Sequence, residues 1–192
     1  MRELLPQAYL IGLIGLLTVA AVAVGRQILR VRRDEAALAR LGGPVGSEGR
    51  PDDSGGLYEL GSVQLRKRLY GQASDSLRKA LRKAEQEKAP DEALALIENA
   101  LGFALAAQSR YPAAVRHYRA ALKARADYPV AMNNLAFALE KQQKPEEARR
   151  LYEQVLELEA ANPTARKRLR LLERRNTGEV SGDDNSDDNQ AA

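Results

Sequence analysis

The stretch "NALGFALAAQSRYPAAVRHYRAAL", residues 99–122, alternates small and large residues, breaks once at "SRYP" and carries no obvious catalytic group. Thirty-four residues downstream stands "NNLAFALEKQQKPEEARRLYEQVL", residues 133–156, identical at ten of 24 aligned positions. Forty-one residues upstream stands "YELGSVQLRKRLYGQASDSLRKAL", residues 58–81, with seven identities. Self-similarity at a fixed period predicts stacked repeats, each burying its apolar face against the next. The seven extra residues between the first two copies equal about two helical turns, so they can extend a helix without rotating its buried face. They are expected in the second helix of the first copy.

Within each copy the spacing predicts two helices whose backbones approach to about 8 Å, where only glycine or alanine fits. Gly61, Gly102 and Ala136 occupy one such approach, and Ala73, Ala114 and Ala148 another. Leu60, Leu101, Leu135, Tyr118 and Tyr152 fill the adjoining gaps. Leucine, then glycine or alanine, then alanine, an aromatic and alanine at a 34-residue period resemble the tetratricopeptide repeat. The usual tryptophan is absent, and Ala126 and Ala160 replace the proline that commonly ends a unit. The predicted units are 57–94 (with an extended second helix), 95–128 and 129–162. A capping helix over 163–175 follows, with Asn162 as N-cap and Pro163 in its first turn.

The flanks differ in composition. Residues 8–25, "AYLIGLIGLLTVAAVAVG", are 18 residues without a charge, about 27 Å as a helix and close to the thickness of a bilayer's hydrocarbon core. "AVA" at 21–23 resembles a cleavage site, but the positive charge follows the apolar core, as Arg26, Arg30, Arg32 and Arg33, which is an anchor's pattern. Those arginines predict a single span with the repeats on the cytoplasmic or stromal side. Residues 26–41 continue with helical spacing and are expected to form a basic juxtamembrane helix. Residues 42–56, with six glycines and two prolines, suit a flexible linker. Residues 176–192 carry five acids and no base and have a disordered tail's composition.

Other classes of function find little support. There is no cysteine, which excludes disulfide scaffolds, thiolate metal sites and cysteine nucleophiles. The one histidine, His117, is expected on the outer face of a second helix. Glu146 and Glu147 start a helix, where carboxylates favour the dipole. The tail aspartates lack the glycine and terminal glutamate of an EF-hand calcium loop. "RKRLRLLERR" is basic but has no aromatic platform for nucleic acid. No catalytic residue, metal, cofactor, nucleic acid or small-molecule substrate is expected.

The groove-facing positions of the first helices are Tyr58, Ser62 and Leu65, then Asn99, Phe103 and Ala106, then Asn133, Phe137 and Glu140. Asn-x3-Phe recurs with the period, joining a backbone-binding amide to an apolar contact one turn on. Such a lining suits a helix or an extended segment of a partner. The phenylalanines could equally pack against neighbouring repeats. None of the nine positions is basic, which disfavours clamping of a terminal carboxylate.

Beyond the repeat, "LLPQAYL", "RQILRVRRDEAALARL", "LYELGSVQLRKRLYGQA", "ENALGFALAAQSRYPAAVRHYRAALK", "YPVAMNNLAFALEKQQKPEEA" and "NPTARKRLRLLERR" span most of residues 4–175. In that order they resemble the membrane-anchored tetratricopeptide family of cyanobacteria and plastids called hypothetical chloroplast open reading frame 37. The longer tether, the acidic tail and Gln64, where an aromatic is usual, depart from it. The resemblance implies an all-α fold: a transmembrane helix, then a three-repeat solenoid with a capping helix. It also implies a thylakoid scaffold that binds photosystem I subunits or assembly factors. A general bacterial membrane-tethered scaffold or co-chaperone is the alternative.

Overall fold

The computed structural model describes residues 4–41 and 52–176, and every regular element among them is an α-helix. They divide into two compact units, up to Asp52 and from Asp53 onward.

The first unit is α1, Leu4–Leu41, 38 residues long. Leu13, Ile14, Leu16, Leu17, Val19, Val22 and Val24 are all exposed along it. Its one hydroxyl among them, Thr18, donates to the Gly15 carbonyl at 2.8 Å, so no polar group of that side chain is left unpaired. By length and composition, residues Leu13–Leu41 are enough to cross a membrane. That is compatible with a single-pass anchor or with a signal segment.

The second unit consists of α2 (Ser54–Arg66), α3 (Tyr70–Glu87), α4 (Asp91–Ala107), α5 (Tyr111–Ala124), α6 (Pro129–Lys141), α7 (Pro145–Leu158) and α8 (Pro163–Asn176). Short turns pair α2 with α3, α4 with α5 and α6 with α7, and each pair packs on the next, with α8 closing the stack on α7. The first helices also touch one another, α2 with α4 and α4 with α6. This is the tetratricopeptide solenoid.

Arg68, Ser109 and Gln143 stand one repeat apart at the hairpin turns, all left-handed with φ of 58, 58 and 59°. After each, a backbone N–H reaches back five residues: Leu69 to Gln64, Arg110 to Leu105 and Lys144 to Leu139. That is the Schellman closure of a helix end. Proline then lies in the first turn of α5 and α7, where a missing N–H costs nothing.

Two expectations need correction. The composition predicts a tether that runs to residue 56, but α2 begins at Ser54, so Gly55 and Gly56 lie in its first turn. The Asp53 side chain accepts from the Gly56 N–H at 3.2 Å, and the Ser54 hydroxyl donates to Glu87 at 2.5 Å. Capping and a tie to the end of α3 outweigh glycine's low helix propensity. Residues 42–51 and 177–192 lie outside the described residues.

The seven-residue insertion does not lengthen α3 alone. With 18 residues α3 is four longer than α5, and with 17 residues α4 is four longer than α6. The turn between them, 88–90, is one residue shorter than 125–128. Lys88 breaks α3 in the left-handed conformation, at φ 52°. Pro90 is extended and opens α4, whose first turn holds Asp91 and Glu92. The added turns bury a second small cluster of Leu57, Ala80, Ala84 and Ile97, flanked by Leu94.

Candidate partner-binding face

The hairpin cores set the face in place. A Cβ on Gly102 would lie 2.7 Å from ring carbons of Tyr118, and one on Gly61 would lie 2.6 Å from the Leu77 side chain. Carbon atoms pack at about 3.5–4.0 Å, so both glycines mark true close approaches. Ala136 and Tyr152 hold the corresponding places in the third repeat, both completely buried. Ala73, Ala114 and Ala148 are likewise sealed, and Leu60, Leu101 and Leu135 are buried beside them. Burial raises the Tyr118 hydroxyl's pKa above the usual phenol value. Burial also raises that of Tyr152, with help from the Glu140 carboxylate, to which the hydroxyl donates a hydrogen bond at 2.6 Å.

With these contacts turned inward, α2, α4 and α6 present the residues three and four positions apart on their other side. Tyr58, Leu65 and Ala106 are partly buried against the core, and Ser62 is half-buried. Phe103 is open, 44% exposed.

The asparagines turn sideways, to the next repeat. Asn99 donates to the Tyr128 hydroxyl at 3.3 Å and accepts from Asn134 at 3.0 Å. One repeat on, Asn133 donates to Asn162 at 3.3 Å, leaving its own carbonyl oxygen buried and unpartnered. Asn162 in turn accepts from the Ala165 N–H at 3.0 Å, capping α8. Both asparagines therefore bond to the residue 29 positions ahead, at the N-cap of the first helix of the next unit. Burial first, then the Tyr58 phenol, raises Tyr128's pKa, and the Asn99 bond partly opposes them.

The third-repeat end of the face is closed by α8. The Arg168 guanidinium lies 4.6 Å over the Phe137 ring and 3.6 Å from Glu140, while Lys141 stands 5.5 Å from the same ring. Phe137 and Glu140 are thus engaged within the chain. Cation–π stacking and an ion pair together position α8.

Two residues of the face escaped the sequence reading. Leu96 and Val130, 38% and 54% exposed, each precede a face asparagine by three positions and are themselves 34 apart. The same periodicity that marked Asn99 and Asn133 marks them. With Phe103 they form an exposed apolar strip on adjacent first helices. His117, expected on an outer face, is half-buried and pairs with Glu98 of α4 at 2.6 Å. It stands one position before Tyr118, where α5 meets α4. Among the described residues no cluster of histidines, cysteines or acids suits a metal ion.

A tetratricopeptide-repeat family model matches residues 105–171. The protein ycf37 of Guillardia theta is 31% identical over 184 residues, covering 96% of this chain and 99% of that one. The chloroplastic tetratricopeptide repeat domain-containing protein PYG7 of Arabidopsis thaliana is 33% identical over 170 residues, 88% of this chain, which spans 54% of PYG7's length. Among solved structures, the first tetratricopeptide domain of Spaghetti (RPAP3), bound to the HSP90 peptide SRMEEVD, aligns with a TM-score of 0.60 at 23% identity, covering 65% of this chain and 94% of that one. The shared fold is that of a protein-interaction scaffold.

Proposed function

This chain belongs to the ycf37 family of tetratricopeptide-repeat proteins, and on that premise we propose that it is a membrane-anchored scaffold that holds a protein client for photosystem I assembly. The observation that carries the binding mode is the exposed strip of Leu96, Phe103 and Val130. Apolar side chains in the open on a rigid, capped frame favour a partner that brings apolar residues of its own.

In this reading residues 8–25 span the thylakoid membrane and the repeats face the cytoplasm or stroma. α1 supports this by its length, its exposed apolar residues and the arginines that follow them. Anchoring raises the effective concentration of a client in the same membrane, so a weak face suffices. The client class, photosystem I subunits or assembly factors, rests on the family resemblance. Clamping of an acidic peptide terminus is disfavoured because Lys141, the one base at the open edge of α6, lies over Phe137.

The test is affinity capture from detergent-solubilised thylakoids with wild type and a Leu96→Ala, Phe103→Ala, Val130→Ala triple variant. The expected result is several-fold loss of photosystem I components with little change in thermal unfolding. Undiminished capture by the folded triple variant would exclude the strip. A photosystem I level unaffected by loss of the gene would exclude the client class.

A further inference from the structure

The register of α8 carries the client face one helix further. Shifted by 34 residues, Pro163, Ala165, Leu169 and Leu172 fall on Pro129, Ala131, Leu135 and Ala138 of α6. Ala165 and Leu172 are buried as Ala131 and Ala138 are, and Asn133 bonds to Asn162 ahead of α8 as Asn99 bonds to Tyr128 ahead of α6. The likeness stops on the side that would meet a second helix. Arg170 and Glu173 stand where α6 has the buried Ala136 and Leu139, and Arg170 turns back to donate to the Arg166 carbonyl at 3.3 Å. α8 is thus built as the first helix of a further unit, made polar where the stack is capped.

The side that continues the client face is kept. Thr164, Lys167 and Leu171 take the places of Val130, Asn133 and Phe137. Lys167 is exposed and Leu171 is 39% exposed. With Thr164, Pro163 and Arg168 they line an open hollow of 380 Å³. The character of the face changes along this series. Leu96, Phe103 and Val130 are exposed and apolar, Phe137 lies under Arg168 and beside Lys141, and Lys167 adds a further base beyond them. Glu140, at this end, is engaged with Arg168 and the Tyr152 hydroxyl.

We propose that α8 is the last rung of the client face and that it selects a protein segment apolar at one end and acidic at the other. An apolar side chain of the segment rests on Leu171, and its side-chain carboxylates meet Lys167. The ammonium is a compact point charge without a fixed fork, and Arg168 beside it is held by Phe137 and Glu140, so the contact suits a side chain within the segment. The proposal rests on the reading of Leu96, Phe103 and Val130 as the client strip and adds which client the strip takes. Packed helices lie about 8–10 Å apart, so the two steps from α4 to α8 cover about 20 Å. That length is about six residues of extended chain or about 13 of helix.

The full chain, held in nanodiscs of zwitterionic lipid, is titrated with fluorescent peptides of about 13 residues. They carry leucines at one end and glutamates at the other, in both chain orders, and each has a twin with glutamine for glutamate. In one chain order the glutamate peptide should bind about threefold tighter than its twin at low salt, and the margin should shrink at about 0.5 M salt. Lys167→Gln should remove the margin and leave the glutamine peptide's binding unchanged, while Leu171→Ala should weaken both peptides. A margin that survives Lys167→Gln, equal binding of the twins, or no binding of any peptide overturns the proposal. If Phe103→Ala weakens binding but Lys167→Gln and Leu171→Ala change nothing, the strip stands and the rung on α8 is wrong. If peptides bind and all three variants change nothing, the strip fails with it. An effect of Lys167→Gln confined to adsorption on phosphatidylglycerol vesicles would assign this end to lipid and overturn the proposal as well.

Discussion

In the first repeat a glycine of the first helix faces a leucine, Gly61 against Leu77; in the second, the equivalent glycine faces a tyrosine, Gly102 against Tyr118. One turn along, the first repeat buries Gln64 where the second and third bury Leu105 and Leu139. The lack of room for a Cβ is shared between these two copies while the side chain that fills the space changes. The first repeat meets another repeat on one side only and supplements its core with the second cluster around Ala84 and Ile97. The second is packed on both sides. A terminal unit of a stack tolerates a smaller and more polar core, whereas the central one couples its neighbours.

The largest effect should come from removing the central filler. Tyr118→Ala should destabilise the repeats by about 3–5 kcal/mol, at the upper end for buried truncations, and Leu77→Ala by less. Urea unfolding of the two variants decides it, and equal losses would abolish the distinction between central and terminal repeats. The same contact has a pH signature. Tyr118 and Tyr152 have raised pKa values and stay neutral in the fold. Their contribution is therefore complete below about pH 10 and is lost as pH rises from there toward the folded-state values. Tyr118→Leu, which gives the second repeat the first one's filler, should lose less of its own stability above about pH 10 than wild type does.

Glycine and alanine at a 34-residue spacing were legible in the sequence because sterics leave the closest approaches no other choice. The placement of the insertion was not legible in that way, since one helix longer by two turns and two helices each longer by one preserve the same register. Pro90 was the available signal, followed by Asp91 and Glu92. The asparagines of the face were legible as positions, but not as contacts. A polar side chain on a helix can serve a partner or the next repeat, and only the distances to Tyr128 and Asn162 show that bonds within the chain engage them. Leu96 and Val130 went unread because an apolar residue within a helix looks like core until the hairpin is assembled.

Overpacking comes next in size. Ala114→Leu, at a completely buried site in the central repeat, should lower stability by about 1–3 kcal/mol. Ala73→Leu, at the equivalent site of the first repeat, should cost less because fewer neighbours need to move. Thermal unfolding of both checks this, and wild-type melting of Ala114→Leu would contradict the packing assigned to the central hairpin.

Converting the first repeat toward the second should then raise stability. Gln64 is buried with its side-chain oxygen unpartnered, and an unsatisfied buried acceptor costs about 1–3 kcal/mol. Gln64→Leu supplies the residue type of the other two repeats at similar volume. An increase of about 1 kcal/mol in urea unfolding is expected, and an unchanged midpoint would mean that the amide is already paired.

The smallest effects test what the repeats share. Arg68, Ser109 and Gln143 hold the left-handed conformation at equivalent turns, where an L side chain is disfavoured by roughly 1–2 kcal/mol relative to glycine. Glycine relieves that strain but also gives the unfolded chain more freedom, which takes back about 0.4–1 kcal/mol. Each of Arg68→Gly, Ser109→Gly and Gln143→Gly should therefore stabilise by about 0.5 kcal/mol. The turns lie in separate hairpins, and the one bond between the first two, from the Gln108 side chain to the Tyr70 carbonyl at 3.0 Å, is removed by none of the three substitutions, so the triple variant should gain close to the sum of the three. Additive, equal increments by urea unfolding would mean that the repeats differ in their fillers but not in their turns. If Arg68→Gly behaves differently from the other two, the contrast between the first repeat and the rest extends from the core to the backbone.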